Sequence, residues 1–191
     1  ADKIVAALST MDADVIGLME IENDGFGSTS AIVDLVGRLN AKAGEKRYAF
    51  VQVAGSNKIG TDEITVGLLY NRLTVAPTGS AATTNAGIFA TGNRQPLAQS
   101  FREIANNEVF TVVVNHFKSK GSCPKSGLDN DQRDGQGCWN TTRLQAATQL
   151  MSWLQTAPTG STDPDILVIG DLNSYAKEDP IHAFTSNGFV D

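Results

Sequence analysis

The apolar residues of this chain fall into short continuous runs and into longer segments that carry one apolar face. Runs rich in Val, Ile, Leu, Phe and Tyr are typical of strands, and most of them stop at Gly, Asn or Asp. They predict strands at 14–20, 48–53, 64–70, 97–104, 108–115 and 166–169. Apolar residues spaced three and four apart predict helices at 2–10, 31–43 and 142–155, with a short helix near 180–186.

The order of these elements predicts one α+β domain over residues 1–191, a layered sandwich of sheets and helices. Segments 97–104 and 108–115 alternate well enough to form an antiparallel pair. Residues 76–93 are rich in Ala, Thr, Gly and Asn, and we expect them to form a surface excursion. Residues 188–191 have the composition of the start of a further strand.

The charge balance limits the kind of partner that the protein can bind. A net charge of −6 argues against nucleic-acid binding through a broad basic surface. It leaves open an enzyme that meets a phosphate locally through a cation and a few basic side chains. The chain has few Lys and Arg and many Thr, Ser, Asn and Gly, a composition typical of secreted bacterial enzymes. None of its apolar runs is long enough to cross a membrane. Because the first residue is Ala1, we expect a processed or trimmed chain.

Two cysteines, Cys123 and Cys138, lie in one polar, Gly-rich segment. The alternatives are a reduced functional pair and a disulfide that closes a loop, and their position in a long loop favours the disulfide. Such a bond implies an oxidising compartment. Closing a ring of this size removes about 3 kcal/mol of unfolded-state entropy in the chain-entropy account.

Polar side chains interrupt or follow three of the apolar segments. Glu20 interrupts the first, the 108–115 run leads into His116, and the 166–169 run leads into Asp171 and Asn173. Burying one such group without a partner costs about 2–7 kcal/mol, so their recurrence indicates one shared polar site. In extended geometry Asp171 and Asn173 face the same way, as do Glu20 and Glu22.

Each of these residues also has a purely structural interpretation. Residues 171–174 could form a turn capped by its own side chains, and either Glu20 or Glu22 could be a solvated carboxylate at a sheet edge. A lone histidine at the end of a strand is more often structural than catalytic. The other histidine, His182, has the setting of a helix surface and is assigned no role.

Taken in order, these segments resemble the endonuclease/exonuclease/phosphatase superfamily, the fold class of DNase I, and within it the secreted bacterial extracellular nucleases. The resemblance covers nearly the whole chain and rests on short motifs whose order and spacing agree. The motifs are Met-Glu-Ile-Glu-Asn at 19–23, Gly-Thr-Asp at 60–62, Asn-Arg-Gln-Pro at 93–96, Asn-His-Phe-Lys-Ser-Lys at 115–120, the loop 131–137 with the helix start at 140–147, and Gly-Asp-Leu-Asn-Ser at 170–174.

The resemblance implies a four-layer DNase I-like fold and a set of roles. Glu20 is the implied ligand of Mg²⁺ (or Mn²⁺ or Ca²⁺), and Arg94 contacts the phosphate. The implied catalytic residues are His116, oriented by Asp62, together with Asp171 and Asn173, of which Asn173 also holds a phosphate oxygen. The substrate class that follows is DNA or RNA outside the cell, with no membrane and no obligate protein partner.

The chain also departs from the superfamily pattern. A first strand carrying an Asn, a further aspartate and a second catalytic histidine are expected of the superfamily and are not encoded here. We therefore expect a fragment without the first and last strands, with low activity alone and an open sheet edge beside 166–169 that could support self-association. The alternatives are a lipid or sugar phosphodiesterase or phosphatase, and a silent binding module.

Overall fold

The computed structural model describes residues 2–191, so Ala1 and the expectation based on it lie outside the described residues. The helices are α1 (Asp2–Met11), α2 (Ala31–Ala43), α3 (Asn140–Leu154) and α4 (Asp179–Ser186), with a 3₁₀ helix at Gly87–Phe89. The strands are β1 (Val15–Glu22), β2 (Tyr48–Phe50), β3 (Ile64–Asn71), β4 (Val75–Thr83), β5 (Leu97–Glu103), β6 (Val109–His116) and β7 (Ile166–Asp171).

The strands form two sheets that pack face to face. The first has the antiparallel order β1-β3-β2, and the second has the order β4-β5-β6-β7. Within the second sheet only the β6–β7 pair is parallel, and it places His116 opposite Asp171. The sheets approach closely at Gly17, where a Cβ atom would come within 2.6 Å of the Ile169 side chain.

Three apolar layers make this a four-layer α+β sandwich, as the sequence predicted. One layer packs α1 and α2 against the first sheet through residues such as Leu39 and Leu69. A second lies between the sheets, and a third packs α3 and α4 on the outer face of the second sheet around Val113 and Leu150. Among residues 2–191 no helix is both long and apolar enough to cross a membrane.

The termini of α2 show how local sequence sets an element. Ser30 occupies the N-cap position, but its side chain makes no capping bond; instead the Asp24 carboxylate accepts the N–H of Ala31. Gly44 ends the helix in the left-handed conformation, with φ at +73°, which glycine adopts without steric cost.

The prediction that residues 76–93 form a surface excursion is wrong. Its first part, residues 76–83, belongs to β4, an edge strand paired with β5 whose register shifts between Thr78 and Ala82. An edge strand needs fewer large apolar residues, which is why its Ala- and Thr-rich sequence did not indicate a strand. The 3₁₀ helix that follows buries Phe89 against Phe117, with ring centroids 6.4 Å apart.

Two further differences lie near strand ends. The strand predicted at 48–53 is shorter, because β2 stops at Phe50. Residues 188–191 do not form the start of a strand; Phe189 folds back instead and packs edge-on against Phe184. Within the described residues β7 has one neighbour only, so the open sheet edge expected beside 166–169 is present.

Candidate active site

The carboxylates of Glu20 and Asp171 lie on either side of the His116 imidazole. Nε2 of His116 is 3.9 Å from Oε1 of Glu20 and also 3.9 Å from Oδ2 of Asp171. The histidine side chain is 3% exposed, whereas the glutamate and aspartate side chains are 67% and 48% exposed. The structure therefore brings three of the predicted site residues together, with a buried base behind two solvent-facing acids.

A β-bulge in β1 directs Glu20 toward this site. Leu18 pairs with Gly67 and Ile21 pairs with Thr65, so two residues of β1 oppose one residue of β3. Glu20 adopts φ of +57° in this bulge, a conformation that non-glycine residues rarely take. The expectation that Glu20 and Glu22 share one face by strand alternation is therefore wrong, because the bulge breaks the alternation between them.

The segment that carries Asp171 and Asn173 is a turn that its own side chains hold. Oδ1 of Asp171 accepts the backbone N–H of Asn173 at 2.8 Å, and Nδ2 of Asn173 donates to the Phe117 carbonyl at 3.1 Å. Asn173 has φ of +50°, so the two side chains are not related by extended geometry as predicted. The second N–H of the Asn173 amide remains for another acceptor.

Burial sets the protonation of His116. Loss of solvation lowers the pKa of the imidazole, and the positive charge of Arg94 lowers it further, whereas Asp171, Glu20 and Asp62 act in the opposite direction. The net result is a pKa below the ordinary value of 6.5, so the ring is neutral near pH 7. Nδ1 is buried and has no hydrogen-bond partner among residues 2–191.

Asp62 does not orient His116 by a hydrogen bond, contrary to the role implied by the resemblance. Its Oδ2 forms an ion pair with Nη2 of Arg94 at 3.1 Å, and its Oδ1 accepts the N–H of Glu63 at 2.8 Å. The Asp62 carboxylate, which the resemblance pairs with His116, is therefore paired with the guanidinium of Arg94 instead. Asp62 influences His116 through its charge alone.

A cleft of about 450 Å³ is lined by both members of this ion pair and by Lys118. The Lys118 ammonium lies 4.8 Å from the centre of the Trp139 ring. Within the described residues no carboxylate lies within 4.0 Å of this ammonium. The sequence motif at 115–120 includes Lys118, but sequence reasoning assigned no role to it.

A buried ion cluster supports the loop that leaves β6. Arg143 is fully buried and donates to the carbonyls of Cys138 at 2.7 Å and Gln136 at 3.1 Å; burial lowers its pKa. Glu178, 5% exposed, pairs with Lys120 and lies 4.0 Å from Arg143. The sequence analysis did not predict that Arg143, Glu178 and Lys120 form a buried ion cluster.

The predicted disulfide is present between Cys123 and Cys138, whose Cα atoms lie 5.5 Å apart. It closes the loop that leads from β6 to α3. The indole N–H of Trp139 donates to the carbonyl of Gly121 at 2.9 Å and closes the loop a second time. The disulfide and the Arg143 contacts together fix both ends of this loop beside the site.

The oxygen atoms available to a metal ion are few and exposed. Among residues 2–191 no group of three or more His, Cys, Asp or Glu side chains is arranged to hold an ion. Glu20 and Asp171 nevertheless offer hard carboxylate oxygens to solvent at one place. Mg²⁺ commonly binds through one or two carboxylates and substrate phosphates, keeps several waters, and does not need a cage made entirely of protein ligands. The two carboxylates of Glu20 and Asp171 therefore fit Mg²⁺.

Comparisons with solved structures identify the fold. The human Nocturnin catalytic domain, solved with a bound sulfate anion, matches with a TM-score of 0.65 and 18% identity over 97% of this chain and 60% of that one. An endonuclease/exonuclease/phosphatase family protein from Bacteroides thetaiotaomicron matches with a TM-score of 0.61 and 11% identity, over 97% and 59% of the two chains. ANGEL2, a 2′,3′-cyclic phosphatase, matches with a TM-score of 0.60 and 17% identity, over 98% and 47%.

These likenesses confirm the resemblance inferred from the sequence at the level of the fold: the chain has the DNase I-like endonuclease/exonuclease/phosphatase fold. It spans about 60% of the length of the first two of these proteins. No protein-family profile and no curated protein sequence matches the chain.

Proposed function

We propose that this chain provides the metal-dependent site of a phosphodiesterase that hydrolyses nucleic acid. The observation that carries the proposal is the placement of Nε2 of His116 3.9 Å from carboxylate oxygens of both Glu20 and Asp171. A neutral base and two acids exposed at one place suit attack by water on a phosphate ester. The fold is shared with a 2′,3′-cyclic phosphatase, which supports phosphoester chemistry.

Each residue has a role that follows from its geometry. Glu20 would hold Mg²⁺ (or Mn²⁺ or Ca²⁺), and the bound cation would polarise a phosphate oxygen. Asp171 orients the attacking water, and His116, neutral because burial lowers its pKa, accepts or returns a proton at Nε2. The second amide N–H of Asn173 donates to a phosphate oxygen.

The cations around the site suit a substrate that carries negative charge. Arg94 and Lys118 line the neighbouring cleft, which offsets the overall charge of −6 locally. The disulfide between Cys123 and Cys138 supports a secreted or periplasmic location, since such bonds persist in oxidising compartments. DNA or RNA is the partner that we propose for this cleft.

Nicking of supercoiled plasmid under excess of the 191-residue chain tests the proposal, because one cut per plasmid is detected even when turnover is slow. We expect nicking that requires Mg²⁺, is lost in Glu20→Gln and is retained in the matched control Glu22→Gln. Parallel assays with bis-p-nitrophenyl phosphate and p-nitrophenyl phosphate separate diester from monoester hydrolysis. Nicking that persists without a metal ion, survives Glu20→Gln, or fails in the wild-type chain would contradict the proposal.

A further inference from the structure

The aromatic ring of Tyr175, near the candidate active site, is open to solvent. Tyr175 is 77% exposed, and among residues 2–191 it is the one aromatic residue in the set of exposed large apolar side chains. A single exposed apolar side chain is common on protein surfaces and has no meaning alone. The position of Tyr175 and the group behind its ring distinguish it from the others.

Tyr175 lies in the turn that carries the catalytic residues. It follows Asn173 by two positions, and two residues span at most about 7 Å. Its carbonyl accepts the backbone N–H of Glu178 at 2.9 Å, so the segment closes as a turn directly before α4. The Cα atom of Tyr175 therefore lies within about 7 Å of that of Asn173, so its side chain can reach a base next to a phosphate held at Asn173.

A fixed cation lies against the ring. Nζ of Lys120 is 4.6 Å from the ring centroid and is paired with the buried carboxylate of Glu178. The ammonium is thus held in place by an anion that cannot move into solvent, and the ring is held by the ammonium. Since Tyr175 as a residue is 77% exposed, the ring face away from Lys120 is open to solvent and can accept a planar group.

We infer that the Tyr175 ring, supported by Lys120, is a stacking surface for a nucleobase next to the phosphate that is cut. This inference rests on the proposed function and deepens it, because it selects nucleic acid over lipid or sugar phosphates. A base offers its flat face to a ring only when it is not stacked on its neighbour. The preferred substrate is therefore a single strand, or a duplex at a place where a base is unstacked.

Binding measured without added metal ion tests this inference independently of hydrolysis. Fluorescence anisotropy compares a labelled short oligothymidylate with an abasic strand of equal length and phosphate charge. Base stacking on an aromatic side chain corresponds to about a 5- to 150-fold change in affinity. We expect Tyr175→Leu to weaken oligothymidylate binding by such a factor and to leave abasic-strand binding unchanged, whereas Tyr175→Phe retains wild-type affinity.

The matched control is Leu73→Ala, an exposed apolar residue at the opposite end of β3 from Asp62. It should bind both strands as the wild-type chain does. Equal binding of the two strands by the wild-type chain, wild-type affinity in Tyr175→Leu, or binding of neither strand would overturn the inference. Failure of the proposed function would be seen elsewhere, in the plasmid assay, as nicking that needs neither a metal ion nor Glu20, or as no nicking by the wild-type chain.

Discussion

Replacement of Gly170 by alanine should push β7 away from β6 directly beside the pair formed by His116 and Asp171. Gly170 has φ of +121°, and a Cβ atom there would lie 2.1 Å from the carbonyl oxygen of Asn115 and 2.8 Å from its nitrogen. Both contacts are with backbone, so no side-chain rotation relieves them. The strands must move apart by more than about 1 Å to reach ordinary contact distance.

The cost of Gly170→Ala follows from these contacts. Strained backbone at this φ contributes about 1–3 kcal/mol. The displacement also weakens the bond from the Phe117 N–H to the Asp171 carbonyl, 2.9 Å long, and a lost hydrogen bond contributes about 1 kcal/mol. Together these terms predict that the free energy of unfolding falls by about 2–4 kcal/mol.

Gly160→Ala is the control, because Gly160 also has a positive φ of +85° but no heavy atom within 4 Å of the added Cβ. It should cost about 1–2 kcal/mol from the left-handed conformation alone. Urea unfolding followed by circular dichroism gives both values, provided that the slope is unchanged. If the two variants lose the same stability, the close approach of β7 to Asn115 does not exist as described.

Three further predictions concern the surroundings of the site. Thiol titration of the denatured, unreduced chain should find no free thiol at Cys123 or Cys138, and two free thiols would refute the disulfide. Arg143→Met should lower the free energy of unfolding by about 3 kcal/mol or more, because buried carbonyls lose their donor, and a loss under about 1 kcal/mol in urea unfolding would contradict this. The folded-state pKa of His116 lies below its unfolded value of 6.5, so the unfolded chain binds a proton more readily than the folded chain. The free energy of unfolding should therefore fall as the pH drops below about 6.5 and reach a plateau above that pH. His116→Gln should remove this part of the pH dependence.

The sequence predicted most of the strands and helices, because large apolar residues recur in them with the spacing of a strand or a helix. The α+β class and the antiparallel β5–β6 pair followed from such patterns. β4 did not, since Gly79 and its small neighbours form an edge strand whose burial depends on pairing with β5 rather than on its own apolar residues.

The sequence predicted that Glu20, His116 and Asp171 lie together, but it did not predict how they are arranged. Glu20 and Asp171 follow apolar runs, and that pattern identified them. The bulge that turns Glu20 and the turn at Asn173 depend on backbone conformations at positive φ, which strand alternation cannot anticipate. The pairing of Asp62 with Arg94 depends on two loops that meet only in the folded chain.

The central claim is that Glu20, His116 and Asp171 form one metal-dependent site, and a paramagnetic ion reports on it without any need for turnover. Mn²⁺ titrated into the chain should broaden the imidazole resonances of His116 at low ion concentration and leave those of the exposed His182 sharp. Glu20→Gln should abolish the broadening, and Glu22→Gln should leave it unchanged. Broadening that survives Glu20→Gln, or that affects His182 and not His116, would contradict the account.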